Sequence, residues 1–127
     1  MPTRDLTTLP VEVSAADFGD VRIVTAAGEL DLHGAHVLEA ELERTHECRE
    51  VIVDLLAVTF LDSTALGILV STMKRLRANG GRLVLVTDDP RTLRVFKVTG
   101  LDRVFALEPS LEAAIDAAVA TTNGGSP

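Results

Sequence analysis

Apolar positions along the chain change their spacing several times, and each change marks an element. Val11 and Val13, then Val21, Ile23 and Thr25, alternate with polar neighbours on either side of Asp17-Phe18-Gly19-Asp20. A period of two interrupted by turn residues predicts an antiparallel strand pair with one wet face. After Gly34, Ala35, Leu38 and Leu42 recur at helical spacing among Glu39, Glu41 and Glu43, predicting an acidic-faced helix. Val51–Leu56 is a nearly unbroken apolar run, the pattern of a strand covered on both faces. Leu66, Leu69, Val70 and Met73, with Leu76 one turn on, predict a helix that Asn79-Gly80-Gly81 stops.

Leu83–Val86 reads as the next buried strand. Asp89-Pro90 then supplies an N-cap and a first-turn proline for a helix through Val98, ended by Gly100. Val104–Leu107 reads as a short strand. Ser110 caps a last helix carrying Leu111, Ala114, Ile115, Ala118 and Val119. Strands alternating with helices imply a mainly parallel sheet joined by right-handed crossovers, its N-terminal strand an antiparallel edge. The expected architecture is an α/β sandwich of four to five strands and about four helices.

A length of 127 residues fits one domain, expected over 11–120, with mobile flanks at 1–10 and in the polar tail at 121–127. The formal charge of −7 disfavours a fold-wide surface for nucleic acid or anionic lipid. The absence of Trp and Tyr removes base-stacking platforms. One cysteine, Cys48, excludes an internal disulfide and suits a reducing compartment. No run reaches the length of a membrane span and the N-terminus lacks a signal-peptide stretch, so the cytoplasm is the expected location. The total charge hides a dipole. Residues 1–62 carry a net −9, residues 63–73 carry none, and residues 74–103 carry +5.

The boundary between the acidic and neutral stretches is Thr59-Phe60-Leu61-Asp62-Ser63-Thr64-Ala65-Leu66-Gly67. It joins the most buried strand to the best-formed helix, at the strand end where open α/β sheets place their sites. Two readings stand side by side. In one, Asp62 or Ser63 is simply an N-cap for the helix. In the other, Ser63 accepts a phosphate, which the helix N-terminus tolerates and which repels a partner beside Asp62. Phe60 and Leu61 read first as core, and both also as docking surface.

VIVDLLAVTFLDSTALG, with GELD at Gly28–Asp31 upstream and GGRLVLVTDDPRTLRVFKVTGLDRVF downstream, resembles the STAS domain of bacterial anti-sigma factor antagonists, from Val11 to Val119. The resemblance implies a STAS-like fold; the residues themselves form no catalytic constellation, so no enzymatic activity is expected. It implies that Ser63 is phosphorylated by a partner anti-sigma factor that is itself a serine kinase and binds the ATP. The unphosphorylated form binds this partner and frees the sigma factor; a serine phosphatase is a further implied partner. It places Asp31, Asp62, Ser63 and Thr64 on the partner-binding surface, and Phe60, in its reading as docking surface, is a further candidate there. Where the family has glycine this chain has Ala65, whose methyl group is expected to obstruct a kinase loop. The alternative function is a STAS scaffold in a stress-signalling or lipid-transport complex without a phosphate cycle. A second copy of the chain, as a weak homodimer, is a further candidate partner.

The remaining candidates have plainer readings. Asp31, between a strand and a helix, also suits a local backbone hydrogen bond. Asp54 is expected near a strand end, bonded to a neighbouring loop. His33 and His36 have a spacing that metal ligands use, but Gly34 between them weakens the platform and no third ligand is evident, so no metal or cofactor is expected. Lys74, Arg75 and Arg77 complement a helix C-terminus. Arg91, Arg94 and Lys97 form a basic stripe, solvated or facing an acidic partner. No phosphate loop or nucleophile elbow is present, and all three histidines lie in 33–46, far in sequence from Ser63.

Overall fold

The computed structural model describes residues 11–45 and 47–124, with side chains to Ala118 in the last helix. Strands β1 (Glu12–Phe18), β2 (Val21–Leu30), β3 (Glu50–Leu61), β4 (Arg82–Val86) and β5 (Ala106–Glu108) lie in one sheet in chain order. β1 is antiparallel to β2, with Phe18 opposite Val21, and every later pair is parallel. The helices are α1 (Leu32–Leu42), α2 (Ser63–Ala78), α3 (Pro90–Thr99) and α4 (Leu111–Gly124). Short 3₁₀ turns occupy Glu43–Thr45 and Leu101–Arg103.

Sequential parallel strands joined by crossovers of one hand put the crossover helices on one face of the sheet. Leu38 and Leu42 of α1, Leu69 and Leu76 of α2 and Phe96 of α3 accordingly share one core with Val24, Val53 and Leu85. α4 follows the last strand and covers the opposite face, where Ala114 and Ala118 meet Val21, Ile52, Val84 and Val86. Successive residues of β3 and β4 therefore feed different cores, which is why both strands read as unbroken apolar runs. Leu69 is fully buried, and Leu69→Ala is expected to cost about 2–5 kcal/mol.

The structure departs from the sequence expectations at several edges. β3 runs to Leu61 rather than Leu56. The start of the expected Val104–Leu107 strand is taken by the turn after Gly100, where the amides of Val104 and Phe105 both bond the Leu101 carbonyl. Phe105 packs edge-on against Phe96, with ring centroids 5.7 Å apart. α2 buries Ala65, Ile68, Leu69, Thr72, Met73 and Leu76, whereas Leu66 and Val70 are only partly covered. Thr72 escaped notice because its hydroxyl is satisfied within the helix, donating to the Ile68 carbonyl at 2.8 Å. α4 continues to Gly124, past the expected boundary at 120. The expected N-terminal flank, 1–10, lies outside the described residues, as do His46 and the last three residues.

Candidate functional site

Two helices begin side by side at the carboxyl ends of β2 and β3, and both begin in the same way. Leu30 ends β2, fully buried, and Asp31 caps α1: its Oδ1 accepts from the Gly34 amide at 2.9 Å. Leu61 ends β3, packed against the same core, and Asp62 caps α2: its Oδ1 accepts from the Ala65 amide at 3.0 Å. Both aspartates have extended backbone, as N-caps do. The Asp62 amide donates to the Leu30 carbonyl at 3.2 Å, tying one junction to the other. Both aspartates are therefore caps, and each leaves its neighbour at the first helical position facing outward.

The strand ends are shaped by irregular pairing. Thr25–Ala27 of β2 is matched by Asp54–Ala57 of β3, and Gly28–Glu29 by Val58–Phe60, so β3 carries an extra residue twice. The inward positions of β3 become Leu55, Val58 and Leu61, a spacing of three that alternation cannot reveal. Asp54 lies at the first irregularity, within the strand rather than near its end. Its carboxylate accepts the Leu56 amide at 2.9 Å. Gly28, beside the second, has φ +99°, a conformation that side chains disfavour. Gly34 meets a different demand. A methyl group there would run into the Glu29 carbonyl and crowd Val11.

At the second junction Ser63 is the first residue of α2 and is exposed, while Thr64 is half-buried. The free amides and positive dipole end of α2 favour an anion at this position. Phe60 is 50% exposed, which corrects the core reading for it, whereas Leu61 does pack inward. Asp31, Phe60, Asp62, Ser63 and Thr64 are thus gathered at one end of the sheet. Leu32 joins them. It occupies in α1 the position of Ser63 in α2 and is 60% exposed, and sequence reasoning passed over it. The signal was the near-repeat of Leu30-Asp31-Leu32-His33-Gly34 and Leu61-Asp62-Ser63-Thr64-Ala65. An apolar residue directly after a capping aspartate has no local reason to be there.

Ala65 is fully buried, so its methyl group points into the core. The expected obstruction of a kinase loop is overturned. The other candidates settle into structural roles. Arg75 donates to the Leu42 carbonyl and Arg77 to the Val104 carbonyl, both at 2.8 Å, so these cations tie α2 to its neighbours. His36 pairs with Glu39 at 3.3 Å, and among the described residues no cluster of metal-ligating side chains forms. No helix among them is long and apolar enough to cross a membrane.

Comparison with known proteins agrees with this geometry. The family model of the STAS domain matches residues 12–114. An anti-sigma-B factor antagonist of Bacillus subtilis is 32% identical over 93 residues, covering 72% of this chain and 85% of its own length. An anti-sigma factor antagonist from Mycobacterium paratuberculosis superposes with a TM-score of 0.78 at 33% identity, over 84% of this chain and 92% of that one. The phosphorylated form of SpoIIAA, a Bacillus cell fate determinant, shares the fold with a TM-score of 0.68 at 23% identity, over 84% of this chain and 99% of its own. With its mixed five-stranded sheet and twin capped junctions, the chain belongs to the STAS-domain family of anti-sigma factor antagonists.

Proposed function

We propose that this protein binds a serine-kinase anti-sigma factor through the paired junctions, and that phosphorylation of Ser63 ends the binding. The observation that carries this reading is the placement of Ser63: exposed, at the first position of α2, between a capping aspartate and the half-buried Thr64, with the half-exposed Phe60 just ahead. The hydroxyl is accessible to a kinase, and its own helix stabilises the product by about 0.3–1 kcal/mol through the dipole. The phosphate adds about −1.5 to −2 charges beside Asp62. The modification therefore suits the protein that carries it while changing the surface a partner meets. Asp31 and Leu32 extend that surface, one supplying charge and the other apolar area. The occurrence of SpoIIAA, with the same fold, in both an unphosphorylated and a phosphorylated form supports the switch.

The test is incubation with the cognate kinase and ATP, followed by intact-mass measurement. The wild type should gain one phosphate and Ser63→Ala none. Ser63→Asp should weaken kinase binding. A Ser63→Ala protein that still gains phosphate, or a Ser63→Asp protein that binds as tightly as wild type, contradicts the reading. A scaffold role without a phosphate cycle predicts instead a stable complex that Ser63→Ala leaves untouched.

A further inference from the structure

Phe60 faces a second feature. Between the end of β3 and the first turns of α3 lies an open groove of about 200 Å³, with Thr59, Phe60 and Leu61 along one wall and Arg91, Thr92 and Val95 along the other. Thr92 is buried and Val95 half-buried, so the α3 wall is anchored rather than frayed. Asp89, the N-cap of α3, also lines the groove and pairs with the exposed Arg91 guanidinium at 3.4 Å. Arg94 and Val98 follow Arg91 at i+3 and i+7, so the three share the outward face of α3. Arg94 and Val98 are both exposed, with Val98 among the most exposed apolar residues described.

The lining therefore sets Phe60, Leu61 and Val95 beside two threonines and the Asp89–Arg91 pair, and the exposed cations just outside it, Arg94 and Lys97, lie in the one stretch of the chain with net positive charge. A nucleic acid laid on these cations would meet the acidic junctions on the adjoining strand ends. An acidic protein segment meets the cations and can bury an apolar side chain between them. We infer that the groove takes an acidic segment of the anti-sigma partner, one apolar side chain lodged between Phe60 and Val95 and its carboxylates against Arg91 and Arg94. The inference rests on the partner-switching function above and adds a mechanism to it. Ser63 follows Phe60 by three residues, so a phosphate there sets negative charge beside the groove and repels the acidic segment. Release then follows from like charge at an anionic occupant as well as from steric bulk at the junction.

The probe is the purified kinase that phosphorylates Ser63, titrated in the presence of ADP so that binding is read without turnover. Phe60→Ala should weaken binding about tenfold or more, as truncating an anchor residue does. Arg94→Glu should weaken it about three- to tenfold, more at low salt than at high. Asp116→Lys, an exposed charge reversal on the opposite face, should bind as wild type does; both charge reversals should keep the wild-type Tm, and Phe60→Ala should lose only the stability of the buried half of its ring while staying folded. Wild-type affinity in both Phe60→Ala and Arg94→Glu, or tighter binding by Arg94→Glu, overturns the groove while leaving the Ser63 switch intact. A wild-type protein that the kinase neither binds nor modifies overturns the switch itself, and the groove inference with it. Salt-sensitive binding of nucleic acid lost in Arg94→Glu, with kinase binding unchanged, assigns the cations to that other partner and overturns the inference too.

Discussion

The junctions from β2 to α1 and from β3 to α2 share a leucine and a capping aspartate and differ at each of the next three positions, the first and third of which set them apart. Both run from an inward leucine through a capping aspartate to an amide at the third helical residue. At the first helical position one has Leu32 and the other Ser63; at the third, one has Gly34 and the other Ala65. The first difference is chemical: the same exposed position carries apolar area in one copy and a hydroxyl in the other. The second is steric, because the Glu29 carbonyl crowds Gly34 whereas the core accepts the methyl of Ala65. Under the proposed switch, one motif has been built twice, once for contact and once for control.

The largest test of that division moves the hydroxyl. Leu32→Ser in a Ser63→Ala background puts a serine at the matching helix start. A kinase docked across both junctions has its catalytic site at Ser63, so the double variant should gain no phosphate by intact mass. A stoichiometric gain would mean that an exposed serine after a capping aspartate is all the kinase needs. The two junctions would then be interchangeable, and the comparison would break.

The steric difference comes next. Gly34→Ala forces a methyl group against backbone and should lower stability by about 1–3 kcal/mol, since backbone yields less readily than a side chain. Ala65→Gly should cost about 1 kcal/mol through helix propensity, plus a small loss of buried apolar area. Urea unfolding midpoints of the two variants separate these costs. Equal and small losses would mean that α1 shifts to admit the methyl and that the crowding at Gly34 is not a constraint.

The caps should behave alike. Asp31→Ala and Asp62→Ala should each cost about 1 kcal/mol, and the two asparagine variants much less, because asparagine caps about as well. Asp62→Asn then removes the charge beside Ser63 without removing the cap. Thermal melts check the stability, and kinase binding by Asp62→Asn reads the charge alone.

Much of this was legible in the sequence because local signals agreed with the fold. Asp89-Pro90 and Asn79-Gly80-Gly81 marked a helix start and a helix stop through residues that chemistry confines to those places. Val51–Val53 announced a strand covered on both sides. Asp62 could be read as a cap or as part of a site; the cap is what its carboxylate makes, and that role leaves Ser63 exposed beside it. What escaped was set by long-range pairing. The extra residues in β3 spread its inward positions three apart, so the apolar pattern did not carry the strand past Leu56 to Leu61. Phe60 read as core because an isolated aromatic carries no sign of which side it faces. The groove beside it is made by α3, some thirty residues later, and no local pattern foretells that meeting.

The smallest expected effect lies at the other end of the sheet from both junctions. Glu50 opens β3, opposite Val21 in β2 and Arg82 in β4, and is only 7% exposed. Its Oε1 is buried without a hydrogen-bond partner. Burial raises the carboxyl above its ordinary value near 4.5, against the opposing pull of Arg82 and Arg49. In the window above that value the native protein keeps a proton that the unfolded chain has released, so stability falls as pH rises through it. Glu50→Gln has no proton to lose and should show a flatter dependence from about pH 4.5 upward. Urea unfolding over that range compares the slopes, and parallel curves would mean that Glu50 titrates alike in both states. Combined with Asp62→Asn, the change should be additive, because the two residues stand at opposite ends of β3 and share no partner among the described contacts.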